Sequence, residues 1–276
     1  MSAHIKKLFI ISVALLFSAC TSNNDDSVGA TTSGQEAASY AVSGLVVKGG
    51  VAGSTVTVHS LGADGVRGDV VATASTDGSG AFKLVDPISG PAEVVATGGS
   101  YKDEATGTTV DMTGRELSVI LLNGAAKGST VAVTPLTRIA ASQTRLLISL
   151  GSDLTAAVNK ANEDVTYQFG IADLDITSVP PLDLSASSGG ATALTVDGID
   201  LDSDAARYGL VILGLSQTAK DEGRPPEHVL DLVDNIATDM ANSVLDEGDQ
   251  LPYNDFPRSP GNTLCELGDA IDDFLG

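Results

Sequence analysis

The feature that most constrains this chain is a change of hydrophobic period at Val133-Thr134-Pro135-Leu136-Thr137. Before it, from Tyr40 to about Val133, short runs rich in Val, Thr, Gly and Ser alternate apolar with polar and are separated by Gly and Asp turns. That is a strand pattern. After it, apolar residues recur at helical spacing: Thr134 can cap a helix, Pro135 fits its first turn, and Leu136, Ile139, Ala140, Leu146, Leu147 and Leu150 form one stripe. Strands first and helices afterwards, rather than the two in alternation, predict an α+β chain.

The strand part should hold seven strands, at 42–47, 54–59, 70–75, 81–84, 92–96, 117–122 and 129–133. In the second of these, Val56 and Val58 face one way and Thr55, Thr57 and His59 the other. Seven short strands fit an antiparallel, Ig-like β-sandwich. The helical part opens with an antiparallel pair, the second member started by Asp153, lined by Leu154, Val158, Ala161, Val165 and Phe169, and stopped at Gly170. Residues 173–202, with Pro180-Pro181 and Gly189-Gly190, read as a long irregular connection. Helices resume near Ser203. Residues 208–215 are apolar nearly all round and predict a buried helix, 226–245 carry an apolar side (Val229, Leu232, Val233, Ile236, Met240, Val244), and 263–275 give a last short helix. The expected organisation is a leader at 1–19, a tether at 20–39, a sandwich domain at 40–133 and an all-α domain at 134–276.

The N-terminus reads as an address. His4, Lys6 and Lys7 are a basic start, Leu8 to Phe17 is an apolar run broken only by Ser12, and Ser18-Ala19-Cys20 is a small-residue exit. These are the three parts of a secretory signal peptide. The run is about half of the roughly 20 residues a membrane-spanning helix requires. Phe17-Ser18-Ala19-Cys20 resembles the lipobox of bacterial lipoproteins. The resemblance implies cleavage before Cys20, diacylglycerol on its thiol and acylation of the new amine, which is a palmitate-type anchor in the membrane. Residues 21–39 are polar and small, so they would form a flexible tether with a reach on the order of 25 Å. Thr21, where lipoproteins retained in the inner membrane carry Asp, implies sorting to the outer membrane, with the periplasmic or surface-facing side left open.

Gly44, Ala52-Gly53 leading into Thr55-Val56-Thr57-Val58, and Ala74-Ser75-Thr76-Asp77-Gly78-Ser79-Gly80-Ala81-Phe82 resemble the carboxypeptidase regulatory-like domain, a transthyretin-type sandwich. Asp77 and Gly78 favour a tight turn there, Gly80 accepts a positive φ, and Phe82 returns to the core. What the resemblance implies is a fold. Such domains accompany peptidases, transporters and surface proteins alike, and the peptidase part is missing from this chain.

Charge narrows the partners. With 36 acidic against 15 basic side chains the formal net charge is −21, which repels nucleic acid. Loss of residues 1–19 removes Lys6 and Lys7 and no acid, taking the charge two further to −23. Acyl chains, not surface charge, would therefore hold the protein at an anionic membrane.

Little else in the sequence points to chemistry. There is no HExxH, GxSxG, P-loop or dinucleotide fingerprint, and Lys127 reads as a turn residue. His59 and His228 have no nucleophile placed beside them by sequence. Asp197, Asp200, Asp202 and Asp204 place hard oxygen ligands at short intervals, a candidate Ca2+ site. Ala205 and Val211 stand where an EF-hand needs Gly and Glu, and acids at a helix start are the rival reading. Tyr101, beside Lys102, Asp103 and Glu104, is the candidate exposed aromatic for ligand contact. Cys265, between Leu264 and Leu267, reads as a buried apolar side chain. The expected function is a non-enzymatic envelope lipoprotein that binds or scaffolds a protein or glycan. The alternatives are a calcium-dependent adhesive or glycan-binding surface protein, and a hydrolase with a carboxylate-based site.

Overall fold

The computed structural model describes residues 40–185 and 203–240. Its strands are β1 (Val42–Val46), β2 (Thr55–Leu61), β3 (Arg67–Ser75), β4 (Ala81–Leu84), β5 (Ile88–Ser89), β6 (Ala92–Thr97), β7 (Ser100–Lys102), β8 (Thr109–Asp111), β9 (Glu116–Leu121), β10 (Gly124–Ala125) and β11 (Thr130–Val133). The helices follow: α1 (Pro135–Ser149), α2 (Leu154–Gln168), α3 (Asp204–Asp221), and a 3-10 turn at Pro226–His228 that runs into α4 (Val229–Asp239). A β-rich region followed by helices is the α+β arrangement the change of period predicts. The seven expected strands all form. β5, β7, β8 and β10 are two or three residues long, too short to leave an alternation in the sequence.

Strand β1 lies at the centre of a three-stranded sheet, antiparallel to β4 and parallel to β11. A second sheet has the order β3-β2-β6-β9 and is antiparallel throughout. Val42, Val46, Phe82, Leu84, Val131 and Val133 from the first sheet share one buried cluster with Val56, Val58, Val94, Ala96, Leu117 and Val119 from the second. Burial of a side chain of this kind contributes roughly 1.5–3 kcal/mol. Packing of these two faces therefore outweighs anything the connecting turns supply. Gly44 is required by the packing: a Cβ there would stand 2.2 Å from Cζ of Phe82 and force the ring out of the core.

Helix α1 begins as soon as β11 ends. Thr134 Oγ1 accepts from Thr137 N–H while Thr134 N–H donates to Thr137 Oγ1, and Pro135 stands in the first turn, so the cap is reciprocal. The helix covers the side of β9 turned away from the three-stranded sheet. There Ile120 meets Leu61, Ala141, Leu154 and Val158 in a second cluster. With both sides covered, β6 and β9 are buried almost continuously instead of alternating. Leu136, Ile139, Ala161, Val165, Tyr208, Ile212, Leu232 and Ile236 belong to the same cluster as the sheet residues, so residues 133 and 134 mark a change of secondary structure within one core.

Helix α2 is capped by Asp153, whose Oδ1 accepts from Ala156 N–H, and ends before Gly170 at φ +70°. As far as residue 185 the connection after it is irregular but not loose: Ile171, Leu174, Ile176 and Leu184 are buried. Gly209 in α3 lets the Leu182 carbonyl approach closely, and Tyr208, Val211, Ile212, Leu213 and Leu215 are buried, as expected of a helix apolar on every side. Leu150 departs from the expected stripe: it is the C-cap of α1 and is exposed. The expected helical stretches at 241–245 and 263–275 lie outside the described residues.

Candidate functional site

Two ionic clusters tie strands to helices, and each starts from a charge that the sheet buries. In the first, Glu93 is the second residue of β6, with its side chain wholly inaccessible. A carboxylate in that position requires partners. Arg67 of β3 supplies a bidentate pair, Nε to Oε2 at 2.7 Å and Nη2 to Oε1 at 3.0 Å, and Arg145 of α1 closes from the other side. Arg67 also donates to Glu116 at 2.8 Å, Arg138 of α1 joins Glu116 at 3.2 Å, and Asp234 of α4 joins Arg138 at 3.4 Å. Arg115 then pairs with Asp231 and lies 3.9 Å from Asp234, and His228 Nδ1 lies 2.8 Å from Asp231. The result is a ladder of alternating charge from β3 to α4.

The pairing shows in the proton affinities. Burial opposes ionisation of Glu93, but the hydrogen bonds from Arg67 and Arg145 more than offset it and hold the carboxyl below the ordinary glutamate range. Glu116 is held low chiefly by its bond from Arg67. Asp231, partly desolvated, is held low by Arg115 and His228. At the α4 end the ladder borders a cleft of about 200 Å³ between Gly114–Leu117 and Leu230, Val233 and Asp234. Arg138 lines it, with a buried Nε–H that has no hydrogen-bond partner among the described residues.

The second cluster is built on Lys48, just past the end of β1 and wholly buried. Its Nζ donates to Glu104, to Asp103 Oδ2 at 3.3 Å and to Ser216 Oγ of α3 at 2.6 Å, and it lies 4.9 Å from the centre of the Tyr101 ring. Ser216 Oγ–H donates to Glu104 at 2.8 Å. The other oxygen of Asp103 is held by the N–H and O–H of Thr106 at 3.0 and 2.8 Å. Burial lowers the proton affinity of Lys48, but Glu104, Tyr101 and Asp103 outweigh it and hold the ammonium above the ordinary lysine range. Burial likewise opposes ionisation of Asp103, and Lys48 and Thr106 reverse that.

The expected site residues fare differently. Tyr101 is not an exposed platform: it is 2% accessible, under Lys48, and burial pushes its hydroxyl up to about 12. Pairing of Ser100–Lys102 with β8 turns the ring inward, so no sugar can stack on it. Asp204 opens α3, capped by Ser203, and its carboxylate takes a 2.7 Å bond from Arg207. Asp197, Asp200 and Asp202, and with them the proposed cluster of ligands, lie outside the described residues, as do Cys20 and Cys265. His59 is half-buried on β2, with Nδ1 3.3 Å from the Gly68 carbonyl, and Lys127 is in a turn completed by Gly128 at φ +88°. Among the described residues no helix is long and apolar enough to cross a membrane.

Lys48, Glu93 and the arginines were not singled out by sequence reasoning. One signal was there to find: Glu93 interrupts Ala92-Glu93-Val94-Val95-Ala96, and Lys48 follows Leu45-Val46-Val47, so each is a lone charge in or directly after an apolar strand. Their partners come from 26 to 168 residues away and carry no local mark. No protein-family model, curated protein or solved structure matches this chain.

Proposed function

We propose that this chain is a lipid-anchored protein of the bacterial outer membrane. In this reading its folded part, a carboxypeptidase regulatory-like (transthyretin-like) sandwich joined to helices, acts as a non-enzymatic binding or scaffolding module. The observation that carries the reading is the Leu8 to Phe17 apolar run ending in Phe17-Ser18-Ala19-Cys20. The sandwich reading is supported by the three- and four-stranded sheets with a common core. It is supported also by the Asp77 turn, where one carboxylate oxygen accepts from Ser79 N–H, Ser79 O–H and Ala81 N–H.

The binding role is supported by β3. It is the edge of its sheet, nine residues long, and Val66, Val70 and Val71 on and beside it are more than half exposed. Natural edges are ordinarily short or guarded by charge. A long edge with exposed valines suits an extended segment of a partner, which would add as a further strand. The charged groups of the two clusters, by contrast, hold one another and tie the fold together.

Fractionation of cells carrying Cys20→Ala tests the anchor. Wild type should sediment with outer membranes and the variant should appear in the soluble fraction; a variant that stays with the membrane overturns the assignment. For the edge, Val70→Lys with Val71→Lys should remove partners cross-linked to the wild type in intact envelopes, with the circular dichroism unchanged. Retention of every partner would move the binding role elsewhere.

A further inference from the structure

We propose that Lys48 and Asp103 condense to an isopeptide bond inside the folded chain, with Glu104 and Ser216 carrying the protons and Thr106 stabilising the oxyanion. Five polar groups from three stretches of the sequence converge here, and the lysine at their centre has no accessible surface. A buried ion pair needs one carboxylate. This lysine has two, and they have different surroundings.

Asp103 is arranged as an acyl group. Its Oδ2 accepts from Lys48 Nζ at 3.3 Å, while Oδ1 points the other way into the N–H and O–H of Thr106. Two preorganised donors on one oxygen are what a developing tetrahedral oxyanion requires. Glu104 is arranged as a proton carrier. It accepts directly from Lys48 Nζ and again from Ser216 Oγ–H, whose oxygen in turn accepts from Lys48 Nζ. Lys48, Ser216 and Glu104 thereby form a closed ring of hydrogen bonds through which protons can pass.

The reaction balances without any co-reactant. Against the resting preference of both groups for the ion pair, a proton passes from the ammonium through Glu104 to Asp103, leaving an amine and a carboxylic acid with the net charge of the cluster unchanged. The Lys48 Nζ lone pair attacks Asp103 Cγ, forming the N–C bond, and the charge moves to Oδ1 between the Thr106 donors. Glu104 takes a second proton from the nitrogen and gives it to Oδ2. The Cγ–Oδ2 bond then breaks and Oδ2 leaves as water. Of the three ammonium protons one stays on the amide and two depart with the water, and Glu104 ends as it began. Two features drive the step. The reacting groups are fixed in contact by the fold, which replaces a bimolecular encounter. The product also exchanges a buried charge pair, whose desolvation is costly, for a neutral amide. The bond would close a loop across a separation of 55 residues and fasten the end of β1 to the end of β7.

Mass spectrometry of the purified full chain after denaturation and trypsin digestion tests this. The expected product is a branched species in which residues 103–115 are joined to a peptide uncleaved after Lys48, lighter by one water than its two parts. Fragmentation should place the branch between Lys48 and Asp103. Glu104→Gln, verified as folded by circular dichroism, should slow formation of the branch by about 100-fold or more, the usual scale of a lost acid–base group. Asp103→Ala should abolish it. An unbranched Lys48 in the folded wild-type chain overturns the proposal whatever the variants do, and so does a branch on Glu104.

Discussion

The ladder and the Lys48 cluster both join acids and bases across the boundary between strands and helices, yet they treat charge differently. In the ladder the cations are mainly arginines, and the side chains of Arg67, Arg115, Arg138 and Arg145 keep between 21% and 37% of their surface in water. Only Glu93 is fully enclosed. In the other cluster the lysine and both carboxylates are inaccessible to within 2%. A guanidinium can face a carboxylate through its fork and water through its remaining edge. An ammonium at the bottom of a core has no such second face. The ladder therefore tolerates the loss of a member, and the Lys48 cluster does not.

The largest expected effect follows from that. Lys48→Ala prevents the isopeptide bond and strands Asp103 and Glu104 as uncompensated buried acids, and removal of one partner of a buried pair by itself costs about 3–5 kcal/mol. Urea unfolding at neutral pH should show the midpoint falling steeply, or no folded protein at all. Glu93→Ala comes next. It frees Arg67 and Arg145, which can turn to water or to Glu116, so the loss should be about 1–3 kcal/mol, the range for a buried polar group left without its partner. If Glu93→Ala proved the more damaging of the two, exposure of the cations would not be what separates the clusters.

The contrast also explains which parts of the molecule the sequence revealed. Strand 81–84, the Thr134 cap, the Asp153 and Ser203 starts and the Gly170 stop are all legible because a cap or a period is local: it involves residues within one turn or one strand. Tyr101 was misread for the same reason. A polar neighbourhood of Lys102, Asp103 and Glu104 in sequence suggests a solvated loop, but Lys48 and Ser216 arrive from elsewhere and convert that polar loop into a buried cluster. Leu150 errs in the opposite direction, because the periodic stripe outlasts the surface it packs against. Burial on both sides of β6 and β9 was likewise invisible, since α1 covers them from later in the chain.

Acid separates the two regions less than mutation does. Glu93, Glu116 and Asp231, and Asp103 until it is consumed in the amide, have folded-state proton affinities below the ordinary carboxylate range. Groups depressed in this way stabilise the fold in full above their unfolded values, about 3.9–4.3, and the contribution is lost as pH falls through the folded ones. Melting temperature should therefore be flat from neutrality down to about pH 5 and drop below about pH 4. Glu93→Gln should flatten that acid limb. A melting temperature that rose on acidification would contradict the assignment of these carboxylates as ionised partners.

The smallest effect is the most discriminating. Arg115 is the most exposed of the four arginines, its partner Asp231 keeps about a quarter of its side-chain surface in water, and the more distant Asp234 is half-exposed. Exposed pairs are worth about 0–1 kcal/mol, so Arg115→Gln should shift the urea midpoint only slightly. Salt separates the two kinds of cluster because the Debye length shrinks from about 30 Å at 0.01 M to about 3 Å at 1 M, while ions cannot enter a site with no accessible surface. Sodium chloride at 1 M should therefore erase the difference between Arg115→Gln and wild type and leave the Lys48→Ala difference undiminished. If salt weakened the Lys48 effect to the same degree, water and ions would be reaching Lys48, and both the buried relay and the contrast between the two clusters would fail together.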